Sequence, residues 1–300
     1  MHRSLVPALL LALCACSPKH LIINSAADAL TGGEGGGWGT DDDPELVGAA
    51  TPFALKTIES LIGVEPENPK LLLAGCSGFT QYAYAFLDVP AQTNPSLKAD
   101  EVAFAHARAM KLLARGHAYC RRGLEARHEG FGAAYAKDAT AALKMTDDQD
   151  DVPLLYWSAA SLALQVAGQK DNPQFLAQLP EVGGFAERAL ALDAGWDHGS
   201  IHELLEAYEA SRPAAMGGSV EKAQAHRDAA LKASENKKLG PHVTWAEDVA
   251  VAKQDKAEFK KILDQVLAFD VDSAPQYRLA NVLAQRRARW LLAHTDDLFV

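Results

Sequence analysis

Arg188-Ala189-Leu190-Ala191-Leu192-Asp193, Ala230-Leu231-Lys232-Ala233-Ser234 and Val266-Leu267-Ala268-Phe269-Asp270 end three helical stretches in the same way. Their last residues lie 41 and 36 positions apart. Ser60-Leu61-Ile62-Gly63-Val64-Glu65 is an earlier cousin. Periods in the thirties with two helices each mark tetratricopeptide-like arrays. One helix pair cannot bury its apolar face alone, so neighbouring pairs must stack. The usual aromatic and glycine positions of such units are missing or displaced, which makes these repeats degenerate. The expected fold is all-α: a tetratricopeptide-like array of helical hairpins with degenerate repeats.

Outward from these segments, Ala and Leu dominate, and Val and Ile are scattered rather than alternating, so helices are expected and strands are not. The patterning predicts helices at 45–64, 69–87, 99–128, 131–144, 153–168, 174–192, 197–211, 219–234, 241–252, 255–269 and 275–293. Their starts share one device. Asp43-Pro44-Glu45, Asn68-Pro69 and Asn172-Pro173 each pair a capping side chain with a proline suited to the first turn. Asp255-Lys256-Ala257-Glu258 and Ser273-Ala274-Pro275-Gln276 have the form of capping boxes.

The N-terminus carries a different message. Met1-His2-Arg3 is a short basic start, followed by an apolar run from Leu5 to Ala15. The run is too short to span a bilayer, which takes about 20 apolar residues. Leu13-Cys14-Ala15-Cys16 fits a lipobox, so residues 1–15 are expected to be a signal peptide and Cys16 the lipidated first residue. Several acyl chains, at about 0.8 kcal/mol per buried CH₂, make a durable membrane anchor. Ser17 stands where an inner-membrane retention signal would place aspartate, favouring the periplasmic leaflet of the outer membrane. Residues 16–40 include Gly32-Gly33-Glu34-Gly35-Gly36-Gly37-Trp38-Gly39, expected as a tether. No Lys-Ser/Thr follows these glycines, so they do not make a phosphate loop. The helical domain is expected to occupy residues 41–300.

Lys and Arg number 29 against 39 Asp and Glu, a formal charge of -10. That balance argues against nucleic acid or an anionic membrane surface as the main partner. Cys76 and Cys120 remain in the body. Placed on two helices flanking a loop at 88–99, they stand about 12 and 20 residues from its edges, an offset of about 12 Å. The expectation is two buried free thiols.

No catalytic constellation survives inspection. His198 and His202 share a helical i,i+4 spacing that zinc could use, but His202-Glu203-Leu204-Leu205-Glu206 ends in glutamate where a metalloprotease needs histidine. Glu59-Ser60 matches the acid pair of helical lytic transglycosylases, yet no glycine-rich segment follows to shape a sugar site. Lys56 is an i,i+3 neighbour that would pair with Glu59. Gly75-Cys76-Ser77-Gly78-Phe79 lacks the strand context of a nucleophile elbow. Phe79, Tyr82, Tyr84 and Phe86 put aromatics on more than one face of a helix, so some must serve a second surface. Arg286, Arg287 and Arg289 near the end of the last helix suit its dipole or a site for an organic anion. No cofactor or metal is expected.

Several segments in order, Asp41-Asp42-Asp43-Pro44-Glu45-Leu46-Val47, Thr51-Pro52-Phe53-Ala54-Leu55-Lys56, Leu154-Leu155-Tyr156-Trp157, Arg188 to Asp193, Ile201-His202-Glu203 and Leu279 to Ala288, resemble the T-component of tripartite ATP-independent periplasmic (TRAP) transporters. The resemblance runs from about Asp41 to Phe299. It implies a periplasmic lipoprotein of tetratricopeptide-like fold, assembled as a homotrimer, that docks the solute-binding P-component and passes a ligand through a pore or cleft. Ser158 to Leu162 lacks a second tryptophan usual there, and Arg227 replaces an aromatic after His226. Tyr82, Tyr84, Tyr156, Trp157 and Arg286 are the candidates for a ligand or partner surface. The rivals are a general envelope scaffold, and a cell-wall hydrolase using Glu59.

Overall fold

A computed structural model describes residues 37–300, and every regular element among them is helical. The expected signal peptide, Cys16 and most of the expected tether lie outside the described residues. The main helices are α1 (Pro44–Val64), α2 (Pro69–Ala83), α3 (Val89–Thr93), α4 (Ala99–Arg127), α5 (Phe131–Lys137), α6 (Ala139–Leu143), α7 (Val152–Ala167), α8 (Pro173–Leu176) and α9 (Leu179–Leu192). They continue through α10 (Ser200–Ala210), α11 (Val220–Ala233), α12 (Gly240–Thr244), α13 (Lys256–Ala268), α14 (Arg278–Ala293) and α15 (Thr295–Leu298). No described helix is long and apolar enough to cross a membrane.

The starts form as the capping chemistry dictates. Asp43 accepts from Leu46 N–H, Asn68 from Lys70 and Leu71, Asn172 from Gln174, and Asp255 from Glu258. Ser273 departs from expectation. Its hydroxyl donates to Asp270 O, and Pro275–Tyr277 begins as a 3₁₀ turn with no side-chain cap. The segments quoted first end α9, α11 and α13. Four expected helices are broken, that at 174–192 dividing into α8 and α9 at residues 177–178. The 69–87 helix widens into a π-turn at Tyr84–Asp88, and 241–252 does so at Trp245–Ala250. The 131–144 helix stops where Asp138 turns extended to cap α6.

Successive helices pack side by side: α1 on α2, α2 on α4, α4 on α7, α7 on α9 and α10 on α11. Their apolar faces make a central core around Leu124, Phe131, Leu155, Phe185 and Ile201. A second core surrounds Trp245, Phe259, Leu263 and Leu291. Smaller clusters fill the space between α1, α2 and α4.

Cys76 and Cys120 form a disulfide that ties α2 to α4 at a Cα–Cα distance of 4.9 Å, which corrects the expectation of free thiols. The first arm does not stop at residue 88 but runs through the π-turn and α3 to Thr93. The two arms are therefore 17 and 21 residues long, an offset of only about 6 Å, which tilt absorbs. Gly116 of α4 permits the close approach, since a Cβ there would stand 2.9 Å from Thr80 Oγ1 and 3.0 Å from Cys76 O.

The chain also closes end to end. Leu279 N–H donates to Gly39 O at 3.0 Å, Arg278 Nη1 donates to Thr40 O at 3.0 Å, and Arg286 grips Glu45 with two nitrogens. The first long helix therefore lies against the last long one.

Candidate ligand cleft

The closure brings four elements together. Tyr84 comes from the π-turn after α2, Lys170 from the turn after α7, Glu247 and Asp248 from the second π-turn, and Arg287 from α14. Tyr84 is 47% exposed, yet burial, then the Glu247 carboxylate, pushes its hydroxyl above the usual phenol range. Its ring is therefore surface-exposed while its hydroxyl lies close to the charges of Glu247, Asp248 and Arg287. Burial likewise pushes the Asp248 carboxyl up to about 6, Glu247 adding to it while Lys170 and Arg287 oppose. Burial works against the Arg287 charge, and its two-nitrogen pairing with Glu247 more than restores it. The Arg287 guanidinium lies over the Trp290 ring at 4.4 Å, and its Nη1 is buried without a hydrogen-bond partner.

Further groups sense one another's charge in series: Asp248, then the buried Glu206, then Glu203, then the Tyr156 hydroxyl. Glu206 is fully buried and neither oxygen has a partner, so its carboxyl is pushed up to about 9 by burial, against the opposing Arg227. Burial raises Glu203 despite Lys238 Nζ at 3.0 Å. The same ammonium donates to Asp197 O at 2.8 Å and to Ser200 Oγ at 2.6 Å. It thereby fixes a turn in which Asp197 and His198 both hold positive φ, a costly conformation for residues with side chains. Tyr156 is only partly buried, and its ring packs against Trp157 at 5.0 Å and Trp196 at 4.7 Å.

Of the sequence candidates, Tyr84, Tyr156 and Trp157 belong with these groups. Tyr82 does not: it is 7% exposed, stacked on Phe86, and belongs to the core. Arg286 points outward to Glu45. The neighbouring Arg287, about 100° further round the helix, pairs with Glu247 instead. His198 lies outside the helix, so the expected i,i+4 pair does not form. His202 instead faces His226 across α10 and α11, Nδ1 to Nδ1 at 2.9 Å. Among the described residues no three His, Cys, Asp or Glu side chains converge as metal ligands. Glu59 pairs with Lys56 at 2.5 Å, receives the Tyr119 hydroxyl at 2.9 Å and meets Arg115 at 3.3 Å. Lys170, Glu203, Glu206 and Asp248 were not singled out from sequence. The available signal was the spacing Glu203, Glu206, Glu209 on a helix that also buries Ile201 and Leu205.

These residues offer hydrogen-bonding groups and aromatic surface rather than reacting groups. Among the described residues, serine hydroxyls meet a lysine or histidine nitrogen at Lys238 Nζ to Ser200 Oγ, 2.6 Å and buried, and at His117 Nδ1 to Ser161 Oγ, 3.0 Å. Ser161 is fully buried, and burial lowers His117 to about 4, so the pair is a core contact that no substrate reaches.

A family model described as "TRAP transporter T-component" matches residues 40–299. The chain belongs to the T-component family of TRAP transporters. An uncharacterised protein of Treponema pallidum (strain Nichols) is 31% identical over 271 residues, covering 87% of this chain and 81% of that protein. The expectation drawn from the Asp41–Phe299 segments is borne out in family and in all-α fold. T-components are accessory proteins of transport, not a family of enzymes.

Proposed function

We propose that this T-component is an accessory lipoprotein, anchored through Cys16 in the periplasm at the outer membrane. There it docks the solute-binding P-component and holds or passes a small ligand in its inner cleft. The observation that carries the ligand role is that Tyr84, Asp248 and Arg287, from elements far apart in sequence, come near one another, and that Arg287 Nη1 has no hydrogen-bond partner. The Cys76–Cys120 disulfide supports an oxidising compartment such as the periplasm. The paired helices support a tetratricopeptide-like arrangement, and a homotrimer is the assembly that the family resemblance implies.

The test is titration calorimetry of the purified lipoprotein against the solute-binding protein encoded beside it, with light scattering for mass. A 1:1 stoichiometry per protomer and a trimeric mass are expected. A monomer with no heat of binding would overturn the proposal.

A further inference from the structure

The charge of this chain is unevenly placed. Between Arg108 and Arg127, α4 carries six cations (Arg108, Lys111, Arg115, Arg121, Arg122 and Arg127) against one acid, Glu125, in a chain of net charge -10. Arg108, Lys111, Arg115 and Arg122 fall within about 60° of one another on the helix and run along about 21 Å of its length. All four are exposed, while the opposite face buries Ala109, Leu113, Cys120 and Leu124. Phe104, 72% exposed, continues the same line toward the N-terminus. Arg115 meets Glu59, but among the described residues Arg108, Lys111 and Arg122 have no carboxylate partner. Arg122 donates only to Pro66 O at 2.7 Å.

Three of these cations are held in place. Arg108 lies over Tyr82 at 5.9 Å, Arg115 over Phe79 at 5.3 Å and Arg122 over Tyr119 at 5.4 Å. A stacked guanidinium gives up less freedom when a carboxylate takes it in its fork. We propose that the exposed face of α4 is the docking surface for an acidic protein partner. This rests on the functional reading above, which makes that partner the solute-binding protein, and it adds that the solute-binding protein meets α4 with a row of Asp and Glu.

A lipid bilayer fits the face less well. Membrane-seated helices bring several large apolar side chains, whereas here Phe104 stands among Ala103, Ala107, Ala114 and Ala118. A fluid headgroup layer gains little from fixed guanidiniums, and the acidic body opposes both an anionic leaflet and nucleic acid.

The experiment measures affinity for the solute-binding protein by calorimetry at two salt concentrations, using the full-length lipoprotein in detergent. Arg108→Glu/Lys111→Glu/Arg122→Glu should bind about 30-fold more weakly and lose most of the salt dependence. Lys232→Glu/Lys260→Glu/Lys261→Glu, the same charge change on exposed residues elsewhere, should bind within about 3-fold of wild type. Arg108→Lys/Arg122→Lys keeps the charge but not the planar stack, and should lose an intermediate amount. Thermal melts establish that each variant is folded. Wild-type affinity in the α4 reversal, or an equal loss in the control, overturns the docking surface. So does a reversal that abolishes adsorption to phosphatidylglycerol vesicles but spares protein binding. If wild type itself does not bind, the functional reading fails, and this assignment of the partner fails with it.

Discussion

Glu206 holds a carboxyl with no exposure and no hydrogen-bond donor, which is costly unless the group stays protonated. Its folded pKa, about 9, stands above the 4.5 of an unfolded glutamate, so the folded state binds the extra proton between those values. Stability contributed by that proton is complete below pH 4.5 and is lost as pH rises toward 9. Glu206→Gln removes the dependence. Urea unfolding should show the variant about equal to wild type near pH 4.5 and roughly 3 to 5 kcal/mol more stable at pH 8. Equal stabilities at both pH values would mean that Glu206 finds a donor in solution. Sequence alone could not show this group, because glutamate is ordinarily exposed. Only the fold turns the face of α10 that bears Glu206 inward. Tyr84 drew notice because the aromatic-rich Phe79–Phe86 segment must serve two faces, whereas Tyr156 sits in a segment quoted for the family resemblance. Arg286 and Arg287 could not be told apart without the phase of their helix.

At the scale of elements, caps and Ala/Leu patterning located most helices to within a residue or two, since both are local signals. What they missed were the π-turns at Tyr84–Asp88 and Trp245–Ala250, where no proline or glycine marks the widening. The first of these misses also hid the disulfide, because the length of the α2 arm sets which residues face each other across to α4. Cys76 and Cys120 are 44 residues apart, and closing such a loop removes unfolded-chain entropy worth about 4 kcal/mol. Cys76→Ala/Cys120→Ala should therefore lower the unfolding free energy by about that amount, read from the urea midpoint at constant slope. Wild type in reducing agent should move the same way. If the reduced protein unfolds at the oxidised midpoint, α2 and α4 are held by packing alone.

At the scale of the whole molecule, the closure of first helix on last has no local signature, since it joins residues more than 230 positions apart. Its outermost tie, Glu45 with Arg286, has side chains 71% and 45% exposed, so water screens it and its worth is under about 1 kcal/mol. Its hydrogen bond to Arg286 holds the Glu45 carboxyl below its ordinary range, and Glu45 itself is stabilised in that state. That stabilisation is therefore present above pH 4.5 and is lost as pH falls through the lowered value. The tie matters for where it acts. The core clusters do not include it, whereas it lies one residue from Arg287, which meets Glu247 and senses the charge of the Tyr84 hydroxyl. Arg286→Gln should leave the global urea midpoint within about 1 kcal/mol of wild type. Amide exchange should accelerate over residues 44–50 and 278–286, and acid should no longer add to it. A global loss above about 3 kcal/mol would mean that the closure folds as one unit with both cores. Unchanged exchange would place the strength of the seam in the backbone contacts of Gly39 and Thr40 instead.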